Sequence, residues 1–200
     1  MDKVLRSCGY TEYETNIVRG EGDCLYDEQG RKYIDFEAGV WSTSLGHSHP
    51  RINLAVKKQM DQIMHLGYMY KSPIVEEAAS KVLDTVHMPE GKCTFLCSGS
   101  EAVEFGVQSI RRLTAKPLLL SLSGSYLAAY GSAGRRSLEE WHFFDWSPCG
   151  VCSLEHCSSD CEHYRGIPFN RIGGLVFEPG NTSGQVKLPP NKLVRKLEDS

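Results

Sequence analysis

Ser98, Gly99 and Ser100 place two hydroxyls on either side of a residue with no Cβ, between apolar Phe95-Leu96-Cys97 and Glu101-Ala102-Val103-Glu104. The order predicts a short strand, a turn and the first turn of a helix. A helix start carries unpaired N–H groups at the positive end of its dipole. Two hydroxyls and a glycine that admits close approach complete a seat for a phosphate group. The same residues also serve simple helix capping. Further on, Tyr126 in Ser123-Gly124-Ser125-Tyr126-Leu127-Ala128 offers an aromatic face in a glycine-containing turn. Glu178, between an apolar run and Pro179, places a carboxylate at a strand end, where ligands gather in open α/β sheets.

A second constellation is separate. Cys149, Cys152, Cys157 and Cys161, with His156 and His163 nearby, follow the spacing C-x2-C-x4-C-x3-C. Four soft ligands on one loop suit a structural zinc ion or an iron–sulfur cluster. His47 and His49 form a pair of metal-ligand type, and Trp41 lies in the glycine- and serine-rich stretch before them.

The elements that must position these residues read as alternating strands and helices. Cys24–Asp27 and Arg31–Phe36 form a hairpin closed by Asp27-Glu28-Gln29-Gly30. After Pro50, Ile52, Val56, Met60 and Ile63 recur at helical spacing, and Val75, Ala78, Ala79, Val82 and Val86 mark a second helix. Cys93–Cys97 reads as a buried strand, and Val103, Gly106, Val107 and Ile110 follow it as a helix. Leu118–Leu122 and Gly174–Phe177 are strand-like, residues 146–166 lack periodicity, and Asn191–Glu198 begins an amphipathic helix. This alternation indicates α/β with a mostly parallel sheet, preceded by a small hairpin region.

With 40% hydrophobic residues the chain can bury a core. A net charge of −3 gives no electrostatic case for nucleic acid or an anionic membrane. No apolar run approaches the roughly 18 residues a spanning helix needs, and the first residues lack the apolar stretch of a signal peptide. A cytoplasmic protein is expected, with its eight cysteines as thiols or metal ligands rather than a disulfide framework.

Taken together, Gly20 to Phe36, Gly39-Val40-Trp41, Leu45-Gly46-His47-Ser48-His49-Pro50, Ser98 to Glu104 and Phe177-Glu178-Pro179 resemble the class III pyridoxal-phosphate aminotransferases over about residues 17 to 200. That family includes the ornithine, acetylornithine and 4-aminobutyrate aminotransferases. The resemblance implies a fold-type-I transferase. Residues 1–50 would belong to its small domain and 51–200 to the front of its large cofactor domain. It also implies a chain about twice this length. The family's Asp at the pyridine nitrogen and its Schiff-base lysine then have no counterpart here, and these 200 residues alone are expected to be inactive.

By the same resemblance Ser98, Gly99 and Ser100 hold the cofactor phosphate and Tyr126 stacks on the cofactor ring. Glu178 is an acid in the surrounding network, and Trp41 lines the substrate entrance. Leu127 and Ala128 depart from the family's His and Gly after the aromatic. The His47-Ser48-His49 block becomes a structural turn into a helix. Where some relatives that handle ω-amino groups carry a second Glu that switches the pocket, this chain has Ser183, so its donor is expected to differ from ornithine or 4-aminobutyrate. The implied activity is amino-group transfer between an amino acid or amine and a 2-oxo acid, by a homodimer. A racemase, mutase or decarboxylase on the same fold is one alternative. A non-catalytic fragment or metal-binding interaction module is the other.

Overall fold

The computed structural model describes residues 16–180 and 186–200. It divides into two compact units, the first ending at Ser80 and the second beginning at Lys81.

In the first unit, β1 (Ile17–Glu21), β2 (Cys24–Asp27) and β3 (Lys32–Ile34) form an antiparallel meander in that order. The hairpin expected at residues 27–30 is present because Asp27, 2% exposed, organises it. Its Oδ1 accepts the Gln29 and Arg31 N–H groups at 3.0 and 2.8 Å, and its Oδ2 accepts Arg31 Nε at 2.6 Å and the Tyr33 hydroxyl at 2.9 Å. Burial pushes this carboxyl's pKa up, but the bonds from Arg31 and Tyr33 outweigh it and hold the group below the usual carboxylate range.

A one-turn α1 (Ala38–Trp41) follows, with left-handed φ angles at all four residues, three of them not glycine. Then come α2 (Pro50–Gln62) and α3 (Pro73–Thr85), which runs across the boundary between the units. Pro50 occupies the first helical turn, as its missing N–H allows. Among the described residues neither helix buries a side chain. The apolar faces read from the spacing therefore stand exposed, with Ile52, Val56, Met60, Val75 and Val82 among them.

The second unit contains α4 (Gly99–Leu113), β4 (Leu118–Leu122), α5 (Gly131–Arg135), β5 (Trp141–Phe144), α6 (Ser147–Gly150), α7 (Glu162–Arg165), β6 (Ile172–Leu175) and α8 (Asn191–Glu198). Its three strands are parallel in the order β5-β4-β6. All five residues of the central strand β4 are buried, which is why its sequence is an unbroken apolar run apart from Ser121.

Side chains alternate across the sheet. Leu120, Leu122 and Phe144 join Tyr164 of α7 and Leu193 and Leu197 of α8 in one core. Leu119 and Trp141 join Val107 of α4 and Ala133 of α5 in the other. Helices thus cover both faces. The α4 helix comes close to β6 because Gly173 and Gly174 present no side chains. A Cβ on Gly173 would meet Thr114 Cγ2 at 2.5 Å, and one on Gly174 would meet Ile110 Cγ2 at 3.0 Å.

Cys93–Cys97, expected to be a buried strand, is not one. The segment pairs with no strand among the described residues, and Phe95 and Leu96 are exposed. An apolar run makes a strand only where a neighbour supplies the ladder. Conversely, the sequence reading assigns no element to β1, α5 or β5.

Candidate active site

Ser98 caps α4 from an extended conformation, its Oγ accepting the Glu101 N–H at 3.2 Å and its carbonyl the Ala102 N–H at 3.1 Å. Glu101 in the first turn and Arg111 and Arg112 in the last complement the helix dipole. A Cβ built on Gly99 meets nothing within 4 Å, so the turn has open space directly over its backbone. A helix start of this kind, with unpaired N–H groups at the positive end of its dipole, suits a phosphate monoester. Glu101 Oε2 is buried without a hydrogen-bond partner among the described residues.

The carboxyl edge of the parallel sheet supplies the rest. β4 runs out into Ser123-Gly124-Ser125-Tyr126, and β6 into Val176-Phe177-Glu178, so both segments emerge at the same edge. They are laced together there. The Tyr126 N–H donates to Glu178 Oε2 at 3.0 Å, and the Glu178 N–H donates to Ser125 Oγ at 3.3 Å. Arg136, with a left-handed φ of 55°, sends Nη1 to the Ser125 carbonyl at 2.9 Å while its guanidinium lies 4.5 Å from the Phe143 ring centroid. Ser125 is buried and Tyr126 exposed, so the loop is pinned at its base and presents its aromatic ring outward.

Farther along the same loop, the Ala129 N–H donates to Ser100 Oγ at 2.9 Å, and the Tyr130 hydroxyl lies 3.4 Å from Ser98 Oγ. Beneath it is a polar network. Glu104 Oε2 accepts the Ser132 N–H at 2.9 Å. Ser132 Oγ accepts Arg111 Nη2 at 2.8 Å and Trp141 Nε1 at 3.0 Å, and donates to Glu140 Oε2 at 2.6 Å. The Ser132 bond, aided by Arg111 and against some burial, holds the Glu140 carboxyl below its ordinary range.

The structure therefore brings Ser98, Gly99, Ser100, Tyr126 and Glu178 into one unit, with the Ser98–Ser100 turn tied to the Tyr126 loop and that loop tied to Glu178. Trp41 lies in the first unit, exposed on the left-handed turn. His47 and His49 are not placed as a metal pair. His47 Nε2 sits 2.6 Å from Asp35 Oδ2, a bond that draws the Asp35 carboxyl below its usual range, and His49 precedes Pro50 at the start of α2. Ser183 lies outside the described residues.

Among the described residues no group of three or more His, Cys, Asp or Glu side chains is placed to hold a metal ion. Cys149, Cys152, Cys157 and Cys161 thus do not form the ligand set their spacing suggests for zinc or an iron–sulfur cluster. Instead Cys149, Cys157 and Cys161 pack against the core shared by α7 and α8, where a thiol behaves as a small apolar group. Burial raises the pKa of Cys149 and Cys157. Lys192 Nζ donates to the carbonyls of Cys152 and Leu154, fastening the loop to α8.

Tyr130 is a residue that sequence reasoning does not find. Its one signal is an aromatic next to Gly131, four residues past Tyr126, and only the folded loop shows that it returns to Ser98.

Known proteins resemble this chain in sequence and in fold. The sequence profile described as aminotransferase class-III matches residues 7–128. The acetylornithine aminotransferase of Aquifex aeolicus is 38% identical over 103 residues, covering 52% of this chain and 27% of that protein. The acetylornithine aminotransferase of Methanopyrus kandleri is 25% identical over 201 residues, covering 95% of this chain and 49% of that protein. The chain thus spans half or less of the length of these relatives. Among solved structures, an S-selective transaminase from an Arthrobacter species with alanine bound superposes with a TM-score of 0.81 over 98% of this chain and 50% of that one, at 18% identity. That likeness establishes the fold, the fold-type-I architecture of the pyridoxal-phosphate transaminases. The profile covers more than half of the chain and takes in both the Ser98–Ser100 turn and Tyr126, and the chain belongs to the class III aminotransferase family.

Proposed function

We propose that these residues form the cofactor-holding front of a pyridoxal-phosphate-dependent transaminase, which moves an amino group between an amino acid or amine and a 2-oxo acid. The observation that carries this reading is the lacing of the Ser98–Ser100 turn, the Tyr126 loop and Glu178 at one sheet edge. The cofactor supplies, when bound, an electron sink for the substrate's α-carbon. The chain's own residues bind and orient it. The α4 N-terminus and the Ser98 and Ser100 hydroxyls take the phosphate, for which a helix dipole contributes about 0.3–1 kcal/mol. The Tyr126 ring offers a flat apolar face for the pyridine ring. Glu178 fixes that face by holding the Tyr126 backbone rather than by acting on substrate.

The reading extends to a longer chain, with the small-domain segment at residues 1–50 and the large domain from residue 51. The lysine and the ring-nitrogen acid would follow Ser200 in that longer chain, Trp41 would stand at the substrate entrance, and the enzyme would work as a cytoplasmic homodimer. Ser183 in place of a switching Glu leads us to a donor other than ornithine or 4-aminobutyrate.

The test is transamination by the natural-length protein across a panel of amines and amino acids, with 2-oxoglutarate and pyruvate as acceptors. Stoichiometric appearance of a new amino acid and a new oxo acid is expected. Loss of the substrate α-proton with no net transfer would favour the racemase alternative, and ornithine as the best donor would overturn the Ser183 inference.

A further inference from the structure

We propose that Tyr130 is an additional phosphate ligand of this site, its hydroxyl closing the side of the Ser98–Ser100 seat that the helix N-terminus leaves open. The proposal rests on the cofactor reading above and adds a residue to it.

Three observations carry it. The first is position. The Tyr130 hydroxyl lies 3.4 Å from Ser98 Oγ, although the two residues are 32 apart in the chain. The second is restraint. The backbone on both sides of Tyr130 is fastened to α4, through the Ala129 N–H to Ser100 Oγ at 2.9 Å and the Ser132 N–H to Glu104 Oε2 at 2.9 Å. Between them Gly131 adopts φ +74°, and a Cβ there would lie 2.4 Å from Glu104 Oε2. Only glycine lets the chain turn this tightly against the helix, and the turn is what aims Tyr130 back at the phosphate seat.

The third is the hydrogen balance. Ser98 Oγ already accepts the Glu101 N–H. Whichever of Ser98 and Tyr130 donates to the other, one O–H of the pair remains for an outside acceptor. Ser100 Oγ accepts the Ala129 N–H and likewise keeps its own proton. Two O–H donors therefore flank the open space over Gly99. Tyr130 is half exposed, at 51%, so an anion arriving there can reach its hydroxyl. An oxygen-rich dianion accepts from such a donor more strongly than water does.

The ligand class is a phosphate monoester carried on an aromatic ring, with Tyr126 meeting the ring and Tyr130 the phosphate. The experiment uses the natural-length protein, stripped of cofactor, and compares wild type with Tyr130→Phe and Tyr126→Ala. Each is titrated with pyridoxal phosphate and with pyridoxal, which lacks the phosphate, following intrinsic fluorescence. The ³¹P shift of the bound phosphate is recorded as well.

Tyr130→Phe is expected to bind pyridoxal phosphate about tenfold more weakly, the loss of one hydrogen bond to a charged group. It should leave pyridoxal affinity unchanged and move the ³¹P resonance. Unchanged pyridoxal binding also shows that the variant is folded. Tyr126→Ala should weaken both ligands together. If Tyr130→Phe binds pyridoxal phosphate as wild type does with the same ³¹P shift, or loses both ligands equally, the Tyr130 assignment is wrong while the cofactor reading stands. If wild type binds neither ligand, the cofactor reading itself fails.

Discussion

Ser132, 1% exposed, sits beneath the loop that carries Tyr126 and Tyr130, and its single hydroxyl serves Arg111, Trp141 and Glu140 at once. Replacing it with alanine leaves the Trp141 indole N–H unpaired in a buried site. Such an orphan costs about 1–3 kcal/mol, which urea denaturation of Ser132→Ala would read as a lower midpoint. The same hydroxyl ties in Glu140, whose carboxyl is held below its ordinary 4.5. A carboxyl depressed in the folded state contributes stability that is present above its unfolded pKa and is lost as pH falls through the folded value. Wild type should therefore lose part of its stability on acidification below about pH 4.5, and Glu140→Gln should show a flatter profile over that window. Tyr126 offers a finer probe. Glu178→Gln keeps an oxygen for its N–H and should retain slow amide exchange, whereas Glu178→Ala should exchange faster.

At the scale of elements, β4 holds the second unit together because it is central and buried on both faces. Leu120→Ala should cost about 2–5 kcal/mol, the range for truncating a buried leucine. It should also loosen the Ser125–Tyr126 loop that β4 feeds, visible as faster amide exchange in both. The cysteine loop makes a contrasting case. Cys149 and Cys157 are partly buried with raised pKa values and Cys152 is exposed, so alkylation followed by mass spectrometry should label Cys152 before Cys149 and Cys157.

Much at this scale is legible in the sequence. The hairpin at Asp27–Gly30, the starts of α2 and α4, strand β4 and helix α8 each have a local cause: a glycine closing the turn, a proline in a first turn, a serine cap, an apolar run, or leucines four apart. Cys93–Cys97 misleads because an apolar run specifies burial without naming a partner strand. The spacing of the four cysteines does not by itself build a ligand set, and Cys149, Cys157 and Cys161 pack against the core.

For the whole molecule, α2 and α3 present Ile52, Val56, Met60, Val75 and Val82 bare. An assembled homodimeric enzyme is expected to cover at least part of such a surface. Sedimentation of the natural-length protein should give the mass of two chains, and a single-chain mass would remove the homodimer from the proposal. By itself the sequence determined the chemistry available: a Ser-Gly-Ser seat at a helix start, an aromatic after a strand, and an acid before a proline. These depend on residue type and near neighbours, which act over a few positions of chain. Only the tertiary structure decided which of them meet. Parallel pairing of β4 with β6 brings Tyr126 to Glu178, 52 residues away, and the turn at Gly131 carries Tyr130 back to Ser98. Contacts at that separation are set by how helices and strands pack, which no short stretch of sequence encodes.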